Sequence, residues 1–207
     1  MNQLEDRRLK TNTLAELARA PYSMGRKKIY FGEGGINYLS ADEIFAINPM
    51  AEKRVLVSPE DNHASHFVKE GWIIMACSGQ IYGLNGSALL VTKEMESIFF
   101  SQDLIRIIPD EKKIRSGYLL TTLTHPTLGR PLLIRAAYGT SIPHLDPNDV
   151  AAFPVVRLDA ETENAIADLA EASSAARSRA DVLERALSRD AGVLIDRFIA
   201  GDTREIR

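Results

Sequence analysis

Residues 159–200 read DAETENAIADLAEASSAARSRADVLERALSRDAGVLIDRFIA, and the architecture follows from this stretch. It holds no proline and one glycine, Gly192, and alanine is its commonest residue. Alanine costs a helix least of all residues, so the stretch predicts a single helix of about 40 residues and about 60 Å. Asp159 is placed as its N-cap, and Glu161 and Glu163 in the first turn suit the positive end of the helix dipole. Apolar or small residues recur at Ile166, Leu169, Ser173, Ala176, Ala180, Leu183 and Leu187, alternately three and four apart, with Leu194 further on and Asp190 interrupting. That is a heptad seam. Its centre at Ser173, Ala176 and Ala180 is small enough for a close helical neighbour. A helix that only lay on its own domain would carry a broader apolar face. The seam therefore points to a helix pair, between molecules or between repeats, against the plainer reading of a packed C-terminal helix.

Working outward, the preceding residues alternate short apolar runs with turn formers. Leu14, Leu17 and Ala18 follow a Thr13 cap and stop at Pro21, a short helix. Lys28 to Phe31 and Ile36 to Leu39 read as short strands on either side of a glycine turn, Gly32 to Gly35, and Ser40 or Asp42 opens a helical turn before Pro49. Arg54 to Val57 suggests a strand edge, and the continuous run Trp72 to Ala76 suits a strand buried on both faces. Glycines 79, 83 and 86 punctuate a hairpin that returns through Ala88 to Val91. Leu104 to Ile108 is another strand, and spaced leucines from Tyr118 predict a helix continuing to Leu128 despite Pro126. Ile142 to Leu145 is extended before Pro143, Pro147 to Val150 starts a turn of helix, and Phe153 to Val156 closes the domain as a strand. The expected fold is α+β: one compact mixed domain over residues 1–157, then a single long coiled-coil-type helix over 158–207.

Composition narrows the function. Of 207 residues 45% are apolar, enough for a real core. No run of about 18 uncharged apolar residues occurs, and the charged N-terminus has no apolar stretch behind it, so neither a membrane span nor a secretory signal is expected. A cytoplasmic protein fits best. The single cysteine, Cys77, excludes an internal disulfide and paired-cysteine zinc sites. Residues 1–158 carry 18 Lys and Arg against 17 Asp and Glu, while 159–207 carry 7 against 11, so the domain is near neutral and the tail acidic. Nucleic-acid binding would have to rest on local patches.

Candidate chemistry is thin. Phe31-Gly32-Glu33-Gly34-Gly35 is like the glycine loop that methyltransferases set against S-adenosylmethionine, but such a loop needs a following helix and Ile36 to Ser40 look extended. Asn48-Pro49-Met50 is a poor substitute for the tetrapeptide that an adenine methyltransferase uses. His63 and His66 lie outside any His-Glu-x-x-His pattern, and a solvated loop explains them. Cys77 ends a buried run with no base nearby and reads as a small hydrophobe. No catalytic residue, metal site or cofactor is expected.

Three features suit a nucleic acid. Arg26 and Lys27 precede Tyr30, and Lys113 and Arg115 precede Tyr118, interleaving charge with aromatics. Gln80, Tyr82 and Asn85 crowd the glycine-rich hairpin, where amides can read an adenine edge. Arg130 and Arg135 flank another apolar segment. Residues 35–44 (Gly35 to Ile44), 71–83 (Gly71 to Gly83) and 138–145 (Tyr138 to Leu145) together resemble the "PYLSxxDI" segment, the "GDIL...SGTIG" hairpin and the "GSxxPHL" turn of a target-recognition domain. The family is the specificity subunits of Type I restriction-modification enzymes, and the long helix stands where that family places its spacer helix. Two departures stand out: Glu161-Thr162-Glu163 replaces a frequent glutamine at the helix start, and Gly79 to Gly83 is one residue longer than the family's turn.

The resemblance implies a non-catalytic, sequence-specific subunit bound to double-stranded DNA, an adenine-methylating modification subunit and a restriction subunit. Family members usually carry two recognition domains and two antiparallel helices, so by resemblance this chain is either a half-subunit expected to homodimerise or to pair with another half, or a truncated product. The implied DNA contacts are Ser78, Gln80 and Tyr82 in the hairpin and Arg26, Lys27, Lys113, Arg115, Arg130 and Arg135 on phosphates. Tyr138, Thr140, Ser141 and His144 come next, although Pro143 and His144 equally suit a rigid turn. Two other classes stay open: a helix-mediated anti-restriction protein that binds the methyltransferase without reading DNA, and a small S-adenosylmethionine-dependent methyltransferase.

Overall fold

The computed structural model of the chain describes residues 9–24, 30–58 and 62–201. In chain order these form β1 (Thr11–Thr13), α1 (Leu14–Leu17), β2 (Ala18–Tyr22), β3 (Tyr30–Leu39), α2 (Ala41–Ile44), β4 (Lys53–Leu56), β5 (Ile73–Ala76) and β6 (Ala88–Leu90). They continue with β7 (Phe99–Phe100), β8 (Leu104–Pro109), α3 (Ser116–Thr124), α4 (Arg130–Leu133), α5 (Pro147–Ala151), β9 (Pro154–Val156) and α6 (Ala160–Ile199). The fold is α+β, as the element pattern predicts.

A four-stranded sheet of order β2-β8-β5-β6 lies at the centre, antiparallel throughout. All four side chains of β5 are buried, and strand alternation divides them between two cores. Ile73 and Met75 face a cluster with Leu14, Leu17, Tyr118, Leu119 and Ala167, so this side is covered by α1, α3 and the start of α6. Ile74 and Ala76 face Leu39, Ile44, Val91 and Phe100, toward the second sheet, β4-β3-β7. A strand covered on both faces must be apolar at every position, which is why Trp72 to Ala76 reads as an uninterrupted run. The pair β1-β9 closes the domain where α6 begins.

Arg106 in β8 is wholly buried. Its guanidinium donates to the carbonyls of Leu104 (2.5 Å), Ser101 (3.1 Å), Phe100 (3.2 Å) and His66 (3.4 Å). Burial lowers its pKa to about 10, so it stays charged at neutral pH and clips two loops to the sheet. His66 is likewise a core residue, its ring stacked on Phe99 at 4.2 Å and its Nδ1 3.2 Å from the Phe100 carbonyl.

Capping follows the sequence closely. Thr13 and Ser40 head capping boxes with Glu16 and Glu43, and Asp159 accepts from the Thr162 amide at 2.9 Å. Three expectations fail. The short helix placed up to Pro21 ends at Leu17, and Ala18–Tyr22 is strand β2, paired with β8. The helix from Tyr118 stops at Thr124, because His125 precedes Pro126 and takes an extended ψ of 132°. The glycine segment is no turn between strands: β3 runs through it, with Phe31 and Ile36 both opposite Val55. The intervening residues bulge out, and a Cβ at Gly35 would sit 2.4 Å from the Val55 carbonyl oxygen.

The long helix is bound to the body by charge more than by apolar area. Arg157 holds Glu163 with two bonds of 2.8 Å, and the Leu158 amide adds a third at 2.9 Å. Arg115 donates to Asp168 at 2.6 Å and to Glu171 at 2.5 Å. Glu171 also accepts from the amide of Gly117. A Cβ on Gly117 would lie 2.5 Å from the Ala167 carbonyl oxygen, so glycine is what lets α3 and α6 meet there. Further along, Ser178 bonds Glu94 and Arg185 bonds Asn48.

Burial raises the Glu163 carboxyl, but Arg157 and the Leu158 amide outweigh that and hold it below its ordinary value. A depressed carboxyl contributes stability above the unfolded value, about pH 4.3, and loses it as pH falls through the lower folded value. Glu163→Gln is expected to lower stability by about 1–3 kcal/mol at neutral pH, with urea midpoints of variant and parent converging in acid. A gap that stays constant with pH would refute this role.

Candidate nucleic-acid interface

Two loops meet beyond the end of the central sheet. The first, Ser78 to Ser87, leaves β5 and returns as β6. The second, Tyr138 to Leu145, connects the α4 segment to α5. Backbone bridges join Ser78 to His144 and Tyr138 to His144, and the Leu145 amide donates to the Cys77 carbonyl at 2.8 Å. Five expected contacts, Ser78, Gln80, Ser141, Tyr138 and His144, are thus drawn together from two distant parts of the chain, with Tyr82 and Thr140 on the same loops. Gln80, Tyr82, Tyr138, Thr140, Ser141 and His144 are exposed, and Ser78 is half-buried.

Side chains staple the loops. Asn85, wholly buried, donates through Nδ2 to the Gly79 carbonyl at 3.2 Å and to the Pro143 carbonyl at 2.8 Å. Gln80 Nε2 donates to the Ser141 carbonyl at 3.1 Å. Arg130, at the start of α4, spans the first loop from behind: Nε donates to the Asn85 carbonyl at 2.9 Å, and Nη2 to the carbonyls of Gly83 at 2.5 Å and Ile81 at 3.1 Å. A glycine-rich loop leaves carbonyls without regular partners, and a planar guanidinium suits several of them at once.

These contacts correct several expectations. Asn85 is buried and spent inside the site, so it cannot read a base edge. Arg130 is committed to loop carbonyls, and Arg115 to Asp168 and Glu171 of α6. Lys113 donates to the Glu16 carbonyl at 3.0 Å and pairs with Asp110, away from the loops. Arg135 is exposed, three residues before Tyr138. Arg26 and Lys27 lie outside the described residues. Cys77, at the base of the first loop, is pushed up to about 11 by burial and then by Asp103, which leaves the thiol protonated and inert.

The helical seam divides. Ile166 packs against the domain's own core, because its position on the helix turns it toward α3. Leu169, Leu183, Leu187 and Leu194 are exposed at 75, 70, 69 and 45%, and Ser173, Ala176 and Ala180 between them are exposed too. The body-facing side consists instead of Glu163, Ala167, Glu171, Ser174 and Ser178.

No protein-family model and no curated protein sequence matches the chain. Solved structures do. The Type I restriction-modification S subunit from M. genitalium matches at a TM-score of 0.52 and 15% identity, over 77% of this chain and 37% of that one. The HsdS subunit from Thermoanaerobacter tengcongensis matches at 0.52 and 16%, over 93% and 45%. The fold is that of a Type I S subunit. A chain from a structure of the assembly and conformational transition of the type I R-M system agrees, at 0.53 and 15% over 93% and 46%. This chain spans less than half the length of each of these S-subunit-fold chains. Among the described residues no helix is long and apolar enough to cross a membrane, and no group of three or more His, Cys, Asp or Glu side chains is placed to hold a metal ion.

The residues that organise the site, Asn85 and Arg130, carry a sequence signal only as polar groups next to glycines in an otherwise uncharged stretch. Replacing Arg130 by Ala should speed amide exchange at Gly83 and Gly86 by about tenfold or more, since bonds to a charged donor are each worth about 1.5–3 kcal/mol. Arg130→Lys separates the roles: a phosphate contact needs only charge and would survive, whereas the fork over three carbonyls would not. Protection restored by lysine would overturn the staple.

Proposed function

We propose that the chain is a DNA-recognition subunit of a Type I restriction-modification system, non-catalytic and cytoplasmic. It directs a separate adenine-methylating modification subunit and a restriction subunit to their site. The observation that carries this reading is the stapled double loop on an S-subunit fold. Its exposed hydroxyls, amide and rings sit on a platform whose first loop has no charged residue, nor do its flanks from 77 to 92. Such a surface offers hydrogen bonds and apolar contacts to base edges without repelling phosphates. Arg135 supplies charge at its margin.

The exposed seam through Leu169, Ser173, Ala176, Ala180, Leu183, Leu187 and Leu194 supports pairing with a second copy or another half-subunit. Two copies related by a twofold axis would read a split palindrome. Selection from duplexes with two randomised blocks, with the modification subunit present, should enrich two inverted half-sites at a fixed spacing. Repeated rounds that enrich nothing would sink the DNA-reading role and leave a helix-mediated binder of the methyltransferase.

Sedimentation checks the seam separately. The chain should run as a dimer, and Ala176→Arg with Ala180→Arg as a monomer, because two charges would be buried at the closest approach of the helices. A wild-type monomer at high concentration refutes pairing between copies.

A further inference from the structure

The double loop carries more exposed apolar surface than base-edge hydrogen bonding requires. Ile81 is 44% exposed, Tyr82 85%, Tyr138 59% and Ile142 59%. Among the described residues outside α6, four of the nine large apolar side chains left in water therefore stand on these two loops; Phe31, Ile47, Met50, Leu56 and Leu158 are the others. Exposed apolar groups gathered in one place mark a contact surface.

Ile81 and Ile142 also adjoin a tie between the loops. Each directly follows a member of the Gln80 to Ser141 hydrogen bond, and Tyr82 comes next on the first loop. Behind them the Arg130 fork takes up the carbonyl of Ile81 itself, while Asn85 ties Gly79 to Pro143, the residue after Ile142. The tips are held from both sides, so little freedom is lost when they enter a partner.

We infer that Ile81, Tyr82 and Ile142 form an apolar prong that inserts into duplex DNA and unstacks a base step. The inference rests on the DNA-recognition reading and names the part of the duplex this surface takes. The DNA-recognition reading names duplex DNA as the occupant, and the charge of the loops is compatible with it. Residues 77–92 carry no charge, and residues 128–145 carry only Arg130, Arg135 and His144. No carboxylate thus lies on either loop, in a chain whose net charge is −3. Proteins that wedge apolar side chains between bases unstack and kink the duplex, and the bent DNA wraps enough extra protein surface to offset the lost stacking. A step already unstacked by a lesion spares that cost.

The test uses the full chain and a mixed-sequence duplex about three helical turns long, either fully paired or with a central abasic site flanked by 2-aminopurine. Fluorescence anisotropy should show the abasic duplex bound about tenfold more tightly at low salt, with 2-aminopurine emission rising on binding. Tyr82→Ala with Ile142→Ala should erase the preference while leaving the salt dependence of binding unchanged, since no phosphate contact is removed. The replaced side chains are exposed, so thermal midpoints matching the parent's are expected and confirm that the variant is folded. Equal binding of both duplexes, or a preference that survives the double substitution, overturns the prong and leaves these loops to a protein partner. Binding to neither duplex overturns the DNA-recognition reading itself.

Discussion

The joint between α6 and α3 is the constraint on which the rest of the molecule depends. Two guanidiniums from the body, Arg157 and Arg115, take three carboxylates from the first turns of the helix, and Gly117 removes the side chain that would hold the two helices apart. Exposed ion pairs contribute little, but the Arg157 to Glu163 pair is mostly shielded, at 24 and 11% side-chain exposure. It is also bidentate and shares its carboxylate with a backbone amide, which gives it a fixed geometry as well as energy. An apolar joint of equal area would hold the helix less directionally. This one sets where α6 leaves the body.

From that joint a continuous path of packing and hydrogen bonds leads to the two stapled loops. α3 packs on both α6 and α4, α4 opens with Arg130, and Arg130 closes over the carbonyls of the first loop. The second loop is tied to the first by Asn85 and Gln80. Four of the domain's arginines are thus spent on internal geometry: Arg106 clips loops to the sheet, Arg115 and Arg157 seat the helix, and Arg130 staples the loop. The surface left over is uncharged and apolar at its tips. This is a different division of labour from a basic patch that grips phosphates.

How legible all this is in the sequence depends on the distance over which each decision is made. The long helix, its Asp159 cap, the Thr13 cap and the doubly buried run at Ile73 to Ala76 are settled within one or two turns of chain, and they read correctly; of Ser40 and Asp42, both open to the sequence, Ser40 is the cap. The helix expected to pass Pro126 fails because the restriction that proline places on His125 overrides the leucine spacing. The staples are hidden for another reason. Arg130 meets carbonyls 45 to 49 residues away, and Arg115 meets Glu171 across 56. A basic residue looks the same in sequence whether it serves a phosphate or a carbonyl cage. Family likeness points to two loops that the fold brings together, but not to which side chains face outward.

The two faces of α6 follow from the same logic. Toward the body the helix shows, apart from Ile166, small or charged residues, Glu163, Ala167, Glu171, Ser174 and Ser178, so most of the contact is made through hydrogen bonds at close range. Away from the body it leaves Leu169, Leu183 and Leu187 in water, and its last turns add Ile195, Phe198 and Ile199, exposed at 58, 61 and 76%. Burial of such side chains is favourable by about 1.5–3 kcal/mol each, and nothing in the described body is positioned to supply it. The free energy of this face is therefore available only to a partner. Because the inner face is fixed to α3 by charge, a helix laid along the outer face stands at a defined height above the stapled loops. The body's ion pairs would then set the spacing between two recognition surfaces, with no part of that spacing decided by the loops themselves.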